Sequence, residues 1–234
     1  MTGIGIGTSD FKKLRLKQYY YIDKTEYIKH IIDNKSEVIL VTRPRRFGKT
    51  LNMSMLKYYF DCSQKDGKEL FKDLKIMEQE EKYTSKMGYY PCIYMTLKDV
   101  VSTDFEKMLL CLKTELVELY INHVNLLKSE KLLDIEKEMF STILNLKANE
   151  IEMRDGLKLL SRLLYREYGK PVMLFLDEYD VPLQTAYVEG YYDEAVKFFK
   201  AFYGTTFKDN PYLEKTVISG VSRVEKESIF SRGK

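Results

Sequence analysis

Val38-Ile39-Leu40-Val41-Thr42 runs directly into Arg43-Pro44-Arg45-Arg46-Phe47-Gly48-Lys49-Thr50, and this junction decides how the chain is read. The apolar run spells a buried strand. After the basic turn, Leu51, Met55, Leu56, Tyr59 and Phe60 recur at helical spacing, so the turn joins a strand to an amphipathic helix. Such a turn offers an anion converging backbone N–H groups and the positive end of a helix. Gly48 lets the backbone approach a ligand closely. Lys49 is a compact, mobile cation suited to the β and γ phosphates of a nucleotide, and the Thr50 hydroxyl suits the shell of a magnesium ion. Pro44, Arg45, Arg46, Phe47, Gly48, Lys49, Thr50 and Leu51 are the expected nucleotide contacts.

The P-loop pattern G-x-x-x-x-G-K-[ST] has a glycine five positions before Gly48, where this chain has Arg43. Pro44 has no N–H to donate and fixes φ, which makes the front of the loop stiffer and poorer in donors. Arg43, Arg45 and Arg46 offset that loss with positive charge. Taken alone, the segment is equally well a basic turn before a helix.

A second motif breaks the tie. Pro171-Val172-Met173-Leu174-Phe175-Leu176-Asp177-Glu178 is a continuous apolar strand ending in two carboxylates. At the end of a strand beside the P-loop strand, Asp177 is expected to hold magnesium and Glu178 to orient or deprotonate an attacking water. Asp180 follows in the same loop and either binds an arginine of the P-loop or faces solvent. A third strand, Thr216-Val217-Ile218-Ser219-Gly220-Val221-Ser222-Arg223, ends in small polar groups. Ser219 or Ser222 is the candidate sensor of the γ phosphate, and Arg223 the candidate for stabilising transition-state charge. An ordinary polar turn after a buried strand is the competing reading.

The remaining sequence fits this frame. Asp23 and Glu26 are spaced as a capping box for a helix reaching about Asp33, and in related ATPases a segment just before the P-loop strand packs near the adenine base. Pro91 to Leu97 reads as a strand and Phe105 to Tyr120 as a long amphipathic helix. Further helices fall near 130–147, 151–168 and 190–206. This alternating order predicts a parallel sheet with helices on both faces, its ligands bound beyond the carboxyl ends of the strands.

With 234 residues, 44% hydrophobic and 31% charged, the chain suits one sizeable α/β domain. The expected division is an N-terminal extension and helix over 1–35 and a nucleotide-binding core over 36–223. A net charge of +3 is far from that of a dedicated nucleic-acid binder. Cys62, Cys92 and Cys111 are odd in number and widely spaced, which argues against a disulfide framework or a zinc site. The amino terminus lacks an apolar signal-peptide segment, and no apolar run approaches membrane-spanning length. Reduced thiols, no membrane and a cytoplasmic location are expected.

Together, Tyr21-Ile22-Asp23-Lys24-Thr25-Glu26, the run Arg43 to Thr50, Leu176-Asp177-Glu178-Tyr179-Asp180 and Gly220-Val221-Ser222-Arg223 make the chain resemble the bacterial AAA-ATPase-like family. Its members often carry a carboxy-terminal PD-(D/E)xK nuclease-like domain, and it is similar to archaeal-type and STAND ATPases. The resemblance implies a three-layer P-loop NTPase fold with a mostly parallel sheet, ATP and Mg2+ as cofactors, and slow hydrolysis coupled to a conformational switch. It also makes the missing first glycine a family trait. By that pattern the chain stops before a fifth core strand, a helical lid and any nuclease domain. The alternatives are a non-catalytic module that binds partners or nucleic acid through Arg43, Arg45 and Arg46, and, more remotely, a small-molecule kinase.

Overall fold

The computed structural model describes residues 3, 5, 7–64 and 67–222. Its centre is a sheet of four parallel strands, β1 (Val38–Thr42), β2 (Cys92–Thr96), β3 (Val172–Asp177) and β4 (Leu213–Gly220), in the order β1-β4-β3-β2. Parallel neighbours need crossover connections, and helices supply them.

On one face lie α1 (Phe11–Leu16), α2 (Glu26–Asp33), α3 (Lys49–Phe60), α4 (Gly67–Phe71) and α5 (Glu81–Thr84). Their side chains pack with Met173, Phe175 and Val217 of the sheet. On the other lie α6 (Phe105–Ile121), α7 (Asp134–Leu144), α8 (Glu150–Tyr168), α9 (Val181–Glu189) and α10 (Tyr192–Phe207), packed with Val172, Leu174, Leu176 and Ile218. Successive side chains of a strand point to opposite faces, so β3 supplies both cores and all six of its residues are buried.

That burial locates the chemistry. Each fully buried Val, Leu or Phe is worth about 1.5–3 kcal/mol, so the five apolar residues of β3 outweigh the roughly 1–3 kcal/mol for an unsatisfied buried polar atom. Asp177, at the end of β3, is only 1% exposed, and its Oδ2 has no hydrogen-bond partner.

The sheet order corrects one expectation. β3 is not beside β1, because β4 lies between them. Val41 pairs with Ser219 and Leu176 with Ile218, so Ser219 occupies the gap between the strand that leads into the basic loop and the strand that ends in Asp177.

Two local readings also change. α2 begins at Glu26, two residues later than a capping box from Asp23 would start it, and Asp23 does not cap it. Asp23 Oδ1 accepts from the Thr25 N–H at 2.8 Å and the Thr25 hydroxyl at 2.7 Å, while Oδ2 accepts from the Lys75 N–H at 2.8 Å. Its carboxylate closes a local turn and ties it to a distant segment, which a three-residue spacing rule does not see. The helix expected near 190–206 is α10, preceded by the separate α9, which starts at the acidic loop itself. Pro182 in its first turn and Gly190, left-handed at φ 87°, mark its two ends.

Gly220 shows how tightly the exit of β4 is packed. A Cβ there would lie 2.6 Å from Tyr179 Cε1 and 2.7 Å from Asp180 Oδ1, and Tyr179 and Asp180 are fully buried. Gly220→Ala is therefore expected to lose about 3 kcal/mol of stability, measured as a lower urea midpoint at unchanged slope. Wild-type stability in that variant contradicts the packing described.

Candidate functional site

The loop between β1 and α3 needs backbone shapes few residues adopt. Gly48 is left-handed, with φ 75° and ψ 21°, and forms the N-cap of α3. Arg46 also has positive φ, 69°, a conformation that costs a non-glycine residue about 1–2 kcal/mol. The turn brings Lys49 back over its own loop, where Nζ donates to the Arg43 carbonyl at 2.9 Å and the Pro44 carbonyl at 3.0 Å. The Lys49 ammonium is thus held at the loop by neutral acceptors, which an anion can replace.

Across from this loop the carboxylates are held apart in role. The Ser219 hydroxyl and the Glu178 N–H, the latter at 3.0 Å, both donate to Asp177 Oδ1. Asp177 Oδ2 is buried without a hydrogen-bond partner, as is Asp180 Oδ1 in the same loop. Glu178 is itself left-handed at φ 53°, a strained conformation for a glutamate that turns the chain sharply off β3. Partial burial, with the charge of Asp177 beside it, raises the Glu178 carboxyl above its ordinary range, while Lys49, Lys98 and Arg45 pull it back down.

A cleft of about 990 Å³ joins the basic loop to Glu178, while Asp177 and Ser219 lie outside its lining. Arg45, Arg46, Gly48, Lys49, Thr50 and Leu51 form one wall, and Lys98, Val101, Glu178 and one side of α9 form the other. Gly7, Thr8 and Ser9 close one end. They are held there by α1, where the Phe11 N–H donates to Ser54 Oγ of α3 at 3.0 Å and the Phe11 ring stacks on Phe71 at 4.9 Å.

Most of the expected contact residues thus share one cleft, and three departures need stating. Pro44 contributes its carbonyl to Lys49 but is not part of the cleft wall, and Phe47 is 62% exposed and borders a second hollow that Lys49 also lines. Lys24 and Tyr27, of the segment before β1, border that hollow together with Lys49, whereas Gly7 to Ser9 line the larger cleft. Arg223 lies outside the described residues.

The two candidate serines separate cleanly. Ser219 is bound to Asp177, whereas the Ser222 hydroxyl donates to Asp180 Oδ2 at 2.8 Å. Asp180 neither meets the basic loop nor faces solvent. It is fully buried, and its Oδ2 also accepts from the N–H groups of Val221 and Ser222 at 2.9 and 2.8 Å and from Gln184 Nε2 at 2.6 Å. It clasps the turn after β4 to the first turn of α9. Sequence reading missed Gly7 to Ser9, Lys98 and the wall of α9. None carries a motif, and only the tertiary fold brings them to the loop.

Among the described residues no cluster of three or more His, Cys, Asp or Glu side chains forms a protein-only metal cage. Magnesium does not need one, since it keeps several waters and is held through one or two carboxylates and the phosphates of its nucleotide. Asp177 Oδ2, without a hydrogen-bond partner and next in sequence to the cleft-lining Glu178, and the Thr50 hydroxyl in the cleft wall are oxygens of the kind that requirement names. Cys62, Cys92 and Cys111 are free thiols. Among the described residues no helix is long and apolar enough to cross a membrane.

An all-parallel sheet between helical layers, with a Gly-Lys-Thr turn and an acidic pair meeting beyond its carboxyl edge, has the form of a P-loop NTPase-like three-layer α/β fold. The chain belongs to the AAA-ATPase-like family, whose model, described as "Predicted AAA-ATPase", matches residues 5–230. It is also similar to an "Uncharacterized protein in vnfD 5'region" of Azotobacter chroococcum mcd 1, 24% identical over 228 residues. That match covers 97% of this chain and 38% of the length of the relative. No solved structure matches the chain at a significant level.

Proposed function

We propose that the cleft binds ATP with Mg2+ and hydrolyses it slowly, so that nucleotide occupancy switches the conformation of a larger protein. The observation that carries this reading is the meeting of Lys49 and Glu178 on opposite walls of one cleft at the carboxyl edge of the sheet. In this reading Lys49 exchanges the Arg43 and Pro44 carbonyls for the β and γ phosphates, and Arg45 and Arg46 add charge beside it. The backbone of Pro44 to Leu51 wraps the phosphates, and Gly7 to Ser9 lie on the side left for the base and ribose.

Asp177 Oδ2 and the Thr50 hydroxyl would hold Mg2+, which when bound neutralises phosphate charge and aligns the γ phosphate for attack. Glu178, with its carboxyl raised by burial, accepts a proton from the attacking water. Ser219 keeps Asp177 oriented from the strand between and is the sensor in this scheme. Arg223 keeps its proposed role of stabilising transition-state charge. By the family resemblance, a nuclease-like domain following in a longer protein is the partner that the switch would serve, and the setting is cytoplasmic.

Calorimetric titration tests the binding step. Saturable 1:1 heat with ATP and Mg2+, reduced when the metal is chelated, is the expected result. Titration with GTP reads the base preference. No heat with either nucleotide contradicts the proposal.

A further inference from the structure

The cleft contains a cation that the basic loop does not supply. Lys98 leaves the end of β2, the strand on the far side of Asp177 from the loop. Thr96 pairs with Asp177, and the Leu97 N–H donates to the Asp177 carbonyl at 3.0 Å. Lys98 lies two residues beyond Thr96 and Glu178 one residue beyond Asp177, and both line the cleft.

Its backbone is firmly set. The Val100 N–H closes a turn on the Leu97 carbonyl at 3.1 Å, and the Lys98 N–H donates to Thr96 Oγ1 at 3.2 Å. Leu97 and Val100, on either side, are fully buried. The side chain is left for the cleft. Among the described residues no carboxylate lies within ion-pairing distance of its ammonium. Its charge reaches Glu178, and also Glu115 of α6.

We infer that Lys98 is a catalytic cation, meeting the γ phosphate from the side opposite Lys49 and stabilising the charge that develops there during hydrolysis. The inference rests on the ATPase reading above. In the step concerned, the water oxygen bonds to the γ phosphorus while the bond from that phosphorus to the β–γ bridging oxygen breaks. The broken bond's electron pair stays on ADP, and the water proton passes to the Glu178 carboxylate and then to solvent. Charge grows on the bridging and equatorial oxygens. Lys49 and the loop approach those oxygens from one wall only, and a preset donor on the other wall acts where charge appears.

The test compares wild type, Lys98→Ala and Lys98→Arg in full-length chain. Equilibrium binding of Mg·ATP is measured beside turnover and beside capture of Mg·ADP with aluminium fluoride, which mimics the transferring phosphoryl group. Lys98→Ala is expected to keep ATP affinity within about threefold while turnover and aluminium fluoride capture fall roughly 10²-fold, with Lys98→Arg restoring part of both. Unchanged capture and turnover, or a loss of ATP affinity matching the loss of turnover, overturns the assignment. A wild type that binds Mg·ATP yet neither turns over nor captures the mimic also overturns it. Failure of the underlying reading is separate, appearing as no nucleotide binding by wild type.

Discussion

Lys49→Ala is expected to abolish measurable ATP binding while leaving the fold intact. In the resting protein the ammonium makes two hydrogen bonds to loop carbonyls at 2.9 and 3.0 Å, so it loses little when a phosphate replaces them. Charged hydrogen bonds are worth about 1.5–3 kcal/mol each. Losing two of them corresponds to a rise in Kd of roughly 10²- to 10⁴-fold, at 1.4 kcal/mol per tenfold. Stability should barely change, because the side chain reaches only its own loop. Titration calorimetry and urea unfolding together check this. Equal affinity in wild type and variant removes Lys49 from the site.

Glu178→Gln should have the opposite profile, with ATP affinity retained and hydrolysis reduced by about 10²- to 10⁴-fold, the range for a general base. The amide keeps the size of the side chain and the left-handed turn but does not accept the water proton. The same residue sets a pH dependence. Burial and Asp177 raise its carboxyl, and catalysis needs the ionised form. Turnover should therefore be present above the raised value and fall as pH drops through it, at a higher pH than an ordinary carboxylate would give. Steady-state rates from pH 4 to 8 read the limb directly. A variant as fast as wild type, or an acid limb unmoved in it, assigns the base elsewhere.

The switch reading gains a physical route from the residues around Glu178. Asp177, Glu178, Tyr179 and Asp180 are consecutive, yet they reach different elements. Asp177 is bonded to Ser219, Tyr179 Oη donates to the Ser222 carbonyl at 3.0 Å, and Asp180 grips the Val221–Ser222 turn. A change at Asp177 is thus mechanically joined to the turn leaving β4. Gly220, with no room for a methyl group between Tyr179 and Asp180, makes that joint close-packed.

The architecture was legible where apolar runs and punctuation agreed. Val38 to Val41, Pro91 to Leu97, Val172 to Leu176 and Thr216 to Ile218 read as strands from their continuous apolar runs, although burial on both faces holds for all of β3 while the edge strand β1 is half-buried along its length. The long helices read from their periodicity. Strand order did not read, because the three helical crossovers are all long enough to span the sheet and leave the insertion of β4 between β1 and β3 to tertiary packing. The site divided in the same way. Residues 45, 46 and 48–51 and Glu178 announced themselves through charge and spacing. Lys98 and Gly7 to Ser9 did not, being ordinary residue types made relevant by what they adjoin. Asp180 was visible but ambiguous, since a carboxylate after a strand caps, chelates or clasps according to neighbours 40 residues away.

The most direct test of the account is a structure of Glu178→Gln with Mg·ATP. The expected result has the triphosphate along residues 44–51, the Lys49 ammonium moved from the Arg43 and Pro44 carbonyls to the β and γ phosphates, and Asp177 Oδ2 facing the metal. Nucleotide bound elsewhere, or a cleft without nucleotide and with Lys49 still on its two carbonyls, would contradict it.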